Sequence, residues 1–170
     1  MHFEKVRPEA FEHDLMLYKP IAFLGNKTKE IYDNIKLPVR KTKYSAGYDI
    51  CTPLDITIPA GERRVIPTGI KAVFREDEME AWHLQMYVRS SVGIKDGIVL
   101  TNGTGIVDSD YQFAENDGDM MLALMNTSDN QVTYKAGDRI CQAVFCLHGI
   151  TNDDMAEADR KGGIGSTGKD

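Results

Sequence analysis

Residues 55–74 read DITIPAGERRVIPTGIKAVF, and their punctuation sets the fold class. Ile56 and Ile58 alternate with Asp55, Thr57 and Pro59, the period of a half-buried strand. Ala60-Gly61-Glu62 then supplies a turn. Val65 to Pro67 and Ile70 to Phe74 follow as further strands, parted by Thr68-Gly69. The same grammar continues down the chain. Residues 82–88 (WHLQMYV), 98–100 (IVL), 121–125 (MLALM), 132–134 (VTY) and 139–147 (RICQAVFCL) are expected strands, with a turn at Lys135-Ala136-Gly137-Asp138 before the last. Many short strands at turn-rich spacing predict an all-β sandwich, barrel or jelly roll.

Outward from this region the pattern weakens. Residues 19–24 (KPIAFL) read as a first strand, 25–36 as a loop or short helix, and 37–46 as a basic, extended segment. Residues 1–18 are expected to be an N-terminal extension, in which Phe3, Val6, Phe11, Leu15 and Leu17 could line one face of a short helix limited by Pro8. The acidic run 76–80 (EDEME) reads as a solvated loop. Residues 151–170 lose the apolar pattern, gain four glycines and read as a flexible tail. The expected organisation is a single domain over 1–170, with its β core at 19–150.

With 170 residues the chain can bury a real core. Its net charge of −6 argues against a nucleic-acid groove, which needs Lys and Arg in excess on one face. No apolar run could span a membrane, and the first residues lack a secretion signal's apolar centre. Cys51, Cys141 and Cys146 are an odd count without metal or disulfide spacing, so reducing cytoplasm is the expected compartment. His2, His13, His83 and His148 show no ligand spacing and are read as structural or exposed. Trp82, Met120, Met121 and Met125 are read as core.

Three segments carry chemistry. Asp108-Ser109-Asp110-Tyr111 offers a carboxylate that could activate water. In an extended strand Asp108 and Asp110 would share one side, and a turn would change that. Arg89-Ser90-Ser91, with Gly93, offers a fork and hydroxyls for phosphate oxygens. The tail 162–169 contains a G-x-G-x-x-G match at 163–168 and a partial P-loop match ending at Lys169. Asp170 stands where the P-loop needs Ser or Thr, and both motifs need a following helix, so neither is expected to form. A glycine-rich tail could still wrap a triphosphate.

Five segments in order resemble the motifs of the trimeric all-β dUTPases: Ala46-Gly47-Tyr48-Asp49-Ile50, Arg89-Ser90-Ser91, Gly105-Ile106-Val107-Asp108-Ser109-Asp110-Tyr111, Gly137-Asp138-Arg139-Ile140-Cys141-Gln142 and Gly163-Ile164-Gly165-Ser166-Thr167-Gly168. The resemblance covers about residues 37–170. It implies a jelly-roll-like β-barrel with a flexible glycine-rich C-terminal tail, and a homotrimer with active sites at subunit interfaces. It implies Mg²⁺-dependent hydrolysis of dUTP to dUMP and pyrophosphate, which keeps uracil out of DNA and supplies dUMP for thymidylate synthesis. By resemblance Asp108 orients the attacking water and Tyr111 lies under the deoxyribose. Asn102 and Gly105 belong to the hairpin that reads uracil, and Arg89, Ser90, Ser91 and Gln142 surround the phosphates. Asp49 holds the metal's waters rather than the metal. Arg160, Ile164, Ser166 and Thr167 belong to the segment that closes over the triphosphate.

The chain departs from that pattern in four places. Ile164 replaces a stacking Phe, Arg160 lies about one residue nearer Gly163, Val88 and Ser91 replace Pro and Gly, and residues 112–119 carry an insertion. The insertion would serve a protein partner, or bring Phe113 in place of the missing Phe. Two alternatives stand beside this reading. One is a dCTP deaminase-like or bifunctional relative, which ammonia release would reveal. The other is a non-catalytic nucleotide-sensing or protein-binding relative, using residues 1–36 or 112–119.

Overall fold

The computed structural model describes residues 1–18 and 27–163. The strand expected at 19–24 lies outside the described residues. Three elements come first. Strand β1 spans His2–Lys5, helix α1 Pro8–Tyr18 and helix α2 Thr28–Asp33. The turn-punctuated region then gives β2 (Tyr48–Cys51), β3 (Ile56–Ile58), β4 (Arg63–Pro67) and β5 (Ile70–Val73). A short helix α3 (Glu76–Met79) precedes β6 (Trp82–Val88), and helix α4 (Ser90–Asp96) precedes β7 (Ile98–Leu100). Strand β8 (Gly105–Val107) leads to a 3₁₀ helix at Ser109–Phe113, and β9 (Met121–Asn126), β10 (Val132–Tyr134) and β11 (Arg139–Leu147) follow.

All strand pairings between these elements are antiparallel. One sheet runs β2-β11-β6-β8, a second β4-β9-β7, and β10-β3 and β1-β5 form two-stranded ribbons. This is the all-β architecture that the alternation predicts, of the jelly-roll type that the resemblance implies. Ile56 and Ile58 point inward and are buried, while Thr57 between them is exposed. Ile66, Leu84, Ile98, Leu122, Leu124 and Ile140 bring both larger sheets into one core. Among the described residues no helix is long and apolar enough to cross a membrane.

Residues 1–18 are integral to this core rather than an appendage. Strand β1 pairs with β5, His2 opposite Val73 through Lys5 opposite Ile70. Pro8 limits the helix as expected, since α1 begins there and leaves Phe3 in β1 and Val6 ahead of the helix. It occupies the first helical position, where its missing N–H would have had no partner anyway. Phe11 and Leu15, one turn apart, are buried, whereas Leu17 is exposed. Helix α1 packs where the β4–β5 turn passes close. Gly69 has φ +68°, and a Cβ there would fall 2.3 Å from Ile35 and 3.0 Å from Phe11. Only glycine gives that turn both its left-handed backbone and its clearance.

In the acidic run 76–80, Glu76, Asp77 and Glu80 are solvated as expected, but the run is not a loop throughout. Glu76–Met79 is helical and Glu78 is buried, with its carboxylate 2.8 Å from Arg75 and 2.5 Å from the Met1 amino group. Trp82 is partly buried, Met120 and Met121 are core, and Met125 is exposed. Residues 151–163 contain no regular element. Their far end is nonetheless tied down, because the Glu115 amide donates to the Lys161 carbonyl at 3.3 Å.

Candidate active site

Two clusters of charged side chains collect the sequence candidates. The first forms where β2 and β11 pair, with Gln142 opposite Asp49. Asp49 Oδ1 accepts from Arg89 Nε at 2.9 Å, and Oδ2 accepts from Arg139 Nη1 at 2.8 Å. Arg89 sits just past β6, and its amide donates to the Ile140 carbonyl at 3.0 Å, which fixes its backbone to β11. Ser90 and Ser91 open α4 beside it and are exposed. Gln142 lies against Gly47, where any Cβ would come within 2.4 Å of the amide oxygen. Glycine at 47 is therefore what leaves Gln142 its room. Sequence reasoning assigned no role to Arg139. Its partnership with Asp49 depends on strand register, which no local pattern encodes.

The second cluster surrounds Asp108. The chain leaves β8 extended at Asp108 and turns at once into the 3₁₀ helix, so a strand-like alternation does not set these side chains. Arg160 Nη2 donates to Asp108, and Arg160 Nε donates to Asp110 at 2.7 Å. Partial burial works against the Arg160 charge, but the two carboxylates outweigh it and hold the guanidinium above its usual range. The same guanidinium lies 5.7 Å from the Tyr111 ring centre, a cation–π contact. Tyr111 is buried; its hydroxyl donates to the Asp119 carbonyl at 3.0 Å and accepts from Asn116 Nδ2 at 2.9 Å. Burial, above all, pushes that hydroxyl's pKa up to about 12. Asp108 itself remains 54% exposed, open to a water and a substrate. Asp110 is a second residue that sequence reasoning left without a role.

Within one chain the clusters stand apart. Strand β6 joins them, but at opposite ends. Arg89 follows Val88, while Val107 pairs with Leu84, so Asp108 continues past the other end. Six residues of extended chain separate position 83 from Arg89, about 20 Å at the usual rise per residue. The carboxylate that could activate water is therefore remote from the arginines that could hold phosphate. The first cluster sets two guanidiniums against one carboxylate and the second two carboxylates against one guanidinium, so the two are left with opposite charge.

The dUTPase family model matches residues 33–168. The dUTP nucleotidohydrolase of Lactococcus lactis is 38% identical over 144 residues, covering 83% of this chain and 93% of the relative. The crystal structure of the Streptococcus mutans dUTPase superposes with a TM-score of 0.65 at 29% identity, covering 89% of this chain and 99% of that one. The chain belongs to the dUTPase family. A mutant dUTPase from staphylococcal phage phi11, whose structure reveals the coordination of a structural Mg(II) ion, shares the fold at a TM-score of 0.61 and 20% identity, over 74% of this chain and 92% of that one.

Other features expected of a dUTPase take a particular form here. Asn102 lies in the 101–104 turn and Gly105 starts β8. Strands β7 and β8 belong to different sheets, so the segment expected as a hairpin is a corner between sheets. The insertion is not a free loop. Asp117, at φ +58°, accepts from the Arg7 amide at 2.7 Å and from Lys71 Nζ at 3.2 Å. Asp119 is fully buried, and its Oδ1 accepts from the Thr68 and Gly69 amides at 3.1 and 2.8 Å. Among the described residues its Oδ2 has no hydrogen-bond partner, and burial, with Asp14 nearby, raises its pKa well above the carboxylate range. Phe113 is exposed. Ile164, Ser166 and Thr167 lie outside the described residues.

Proposed function

We propose that this dUTPase hydrolyses dUTP to dUMP and pyrophosphate at sites assembled from more than one copy of the chain. The observation that carries the reading is the half-exposed Asp108 carboxylate, poised on the 3₁₀ turn and held by a cation, Arg160, from the C-terminal segment. Asp108 orients a water toward the α-phosphorus and takes its proton as the water oxygen bonds to phosphorus. The bond from that phosphorus to the bridging oxygen breaks, and pyrophosphate leaves with the electron pair. Arg89, Ser90, Ser91 and Gln142, joined by Arg139, bind the triphosphate. Arg160 exchanges its carboxylates for phosphate oxygens and uncovers the Tyr111 ring for the deoxyribose. Asn102 and the backbone near Gly105 present fixed donors and acceptors to uracil. Residues 164–167 close over the nucleotide.

The separation of the clusters supports a homotrimer with shared sites, in which one copy's Asp108 faces another copy's Arg89 and Asp49. Mg²⁺ fits this donor set. Among the described residues no group of three or more acidic, His or Cys side chains is arranged to hold a metal, which suits an ion carried mainly by phosphate oxygens and waters. Asp49 would hold those waters once the arginines turn to phosphate. When bound, the ion neutralises charge on the triphosphate. The enzyme acts in the cytoplasm, where its three free thiols stay reduced.

The test is pyrophosphate release from dUTP, dCTP, dTTP and UTP with Mg²⁺. Release from dUTP alone is expected, and Asp108→Asn should lose roughly 10²–10⁴-fold in turnover while still binding nucleotide. Near-normal turnover in that variant overturns the role of Asp108. Ammonia from dCTP would indicate a deaminase, and no release from any of the four would leave a nucleotide-binding module.

A further inference from the structure

We infer that His83 and His148 form a binding site for one divalent transition-metal ion, distinct from any ion carried by the substrate. The histidines come together through strand pairing that their spacing in sequence does not reveal. His83 lies in β6 opposite Cys146 of β11. The His148 amide donates to the Ala81 carbonyl at 2.9 Å, which extends that ladder by one step. The two Nδ1 atoms then stand 3.3 Å apart, with ring centres at 5.2 Å and planes inclined by 68°. Two imidazole nitrogens at about 2.05 Å from a tetrahedral ion are separated by about 3.3 Å. The pair already has the bite of a chelate.

The surroundings supply an outer shell. Tyr87 donates to Gln85 Oε1, and Gln85 Nε2 donates to His83 Nε2 at 2.8 Å. This chain makes His83 Nε2 an acceptor and places its proton on Nδ1, toward His148. An ion on both Nδ1 atoms moves that proton to Nε2. The Gln85 amide then turns over, so that Oε1 accepts from Nε2–H and its own N–H donates to the Tyr87 oxygen. A metal-bound histidine whose other nitrogen is held by a polar neighbour is the usual arrangement. Because no third side chain is in place among the described residues, the ion completes its shell with water. Imidazole ligands favour nickel, copper or zinc, whereas Mg²⁺ prefers oxygen. The ion would clip the end of β11, where the chain departs toward Arg160, to the start of β6.

The experiment is a calorimetric titration of the full chain with nickel chloride in excess Mg²⁺. One ion per chain is expected, with affinity unchanged in His13→Gln, an exposed histidine elsewhere. His83→Gln and His148→Gln should each weaken binding at least as much as Gln85→Leu, for which the loss expected of an outer-shell partner is roughly 10–100-fold. Thermal melting in the absence of nickel confirms that each variant folds. Parental affinity in both His83→Gln and His148→Gln overturns the proposal. So does nickel binding lost in Asp108→Asn but kept in the two histidine variants, which would place the ion at the nucleotide site.

Discussion

Mixing Asp108→Asn chains with Arg89→Ala chains should restore activity that neither has alone. Each variant removes one half of a divided site. Loss of the base costs roughly 10²–10⁴-fold, and loss of a preorganised phosphate donor costs about 10²–10³-fold. If Asp108 and Arg89 acted within one chain, every chain in the mixture would still lack one of them, and reassortment would restore nothing. The path along β6 instead separates them by about 20 Å. When the site takes Asp108 from one copy and Arg89 from another, random reassortment of equal amounts gives an intact pair in about a quarter of sites, half of one contribution times half of the other. The assay is pyrophosphate release after the mixed chains are unfolded together and refolded. Distinguishable tags and native mass measurement establish that hetero-oligomers form. Activity near a quarter of the parent's is the expected result. Activity no greater than the sum of the separate variants, in a sample shown to contain hetero-oligomers, would refute the shared site.

Asp119→Ala should destabilise the fold by about 2–6 kcal/mol, because the Thr68 and Gly69 amides lose a buried acceptor at about 1–3 kcal/mol each; thermal melting reads this. Asp119→Asn keeps the acceptor and removes a titration. A raised carboxyl pKa means that the folded chain retains a proton that the unfolded chain releases, so the Asp119 contribution to stability falls as pH rises from about 4 toward the folded pKa and is flat above it. The Asn variant should therefore lose less stability than the parent between about pH 4 and pH 7, and an unchanged pH profile would disprove a protonated Asp119. Gly69→Ala should cost about 2–4 kcal/mol, combining a left-handed backbone with crowding against Ile35 and Phe11. Leu124→Ala, at a fully buried position, should cost about 2–5 kcal/mol by the same melting measurement.

The strands were legible because burial of one face writes itself locally. Ile56-Thr57-Ile58 alternates, and Ile56 and Ile58 are buried. The same holds for the turn at Ala60-Gly61, where Gly61 has φ +71°. Glu78 was misread because its charge is compensated by partners outside its own run, among them the distant Met1 amino group. Residues 1–18 read as an extension with a short amphipathic helix, and their place in the core emerges only when β1 finds β5 and α1 covers the Gly69 turn. Asp110 and Arg139 stood in recognisable motifs, but only their ion pairs with Arg160 and Asp49 show what they do.

Alternating runs and turn residues in this chain determined an all-β fold, since side-chain period and backbone permissiveness are properties of neighbouring residues. The order of five short motifs determined the family, since each places donors or a carboxylate within a few residues of chain. Register is different in kind. It brings together positions far apart in sequence, at an entropic cost set by closure of the loop between them rather than by any residue within it. Only the tertiary structure could therefore place Asp49 between Arg89 and Arg139, set Asp108 at the far end of β6 from them, and bring His83 beside His148.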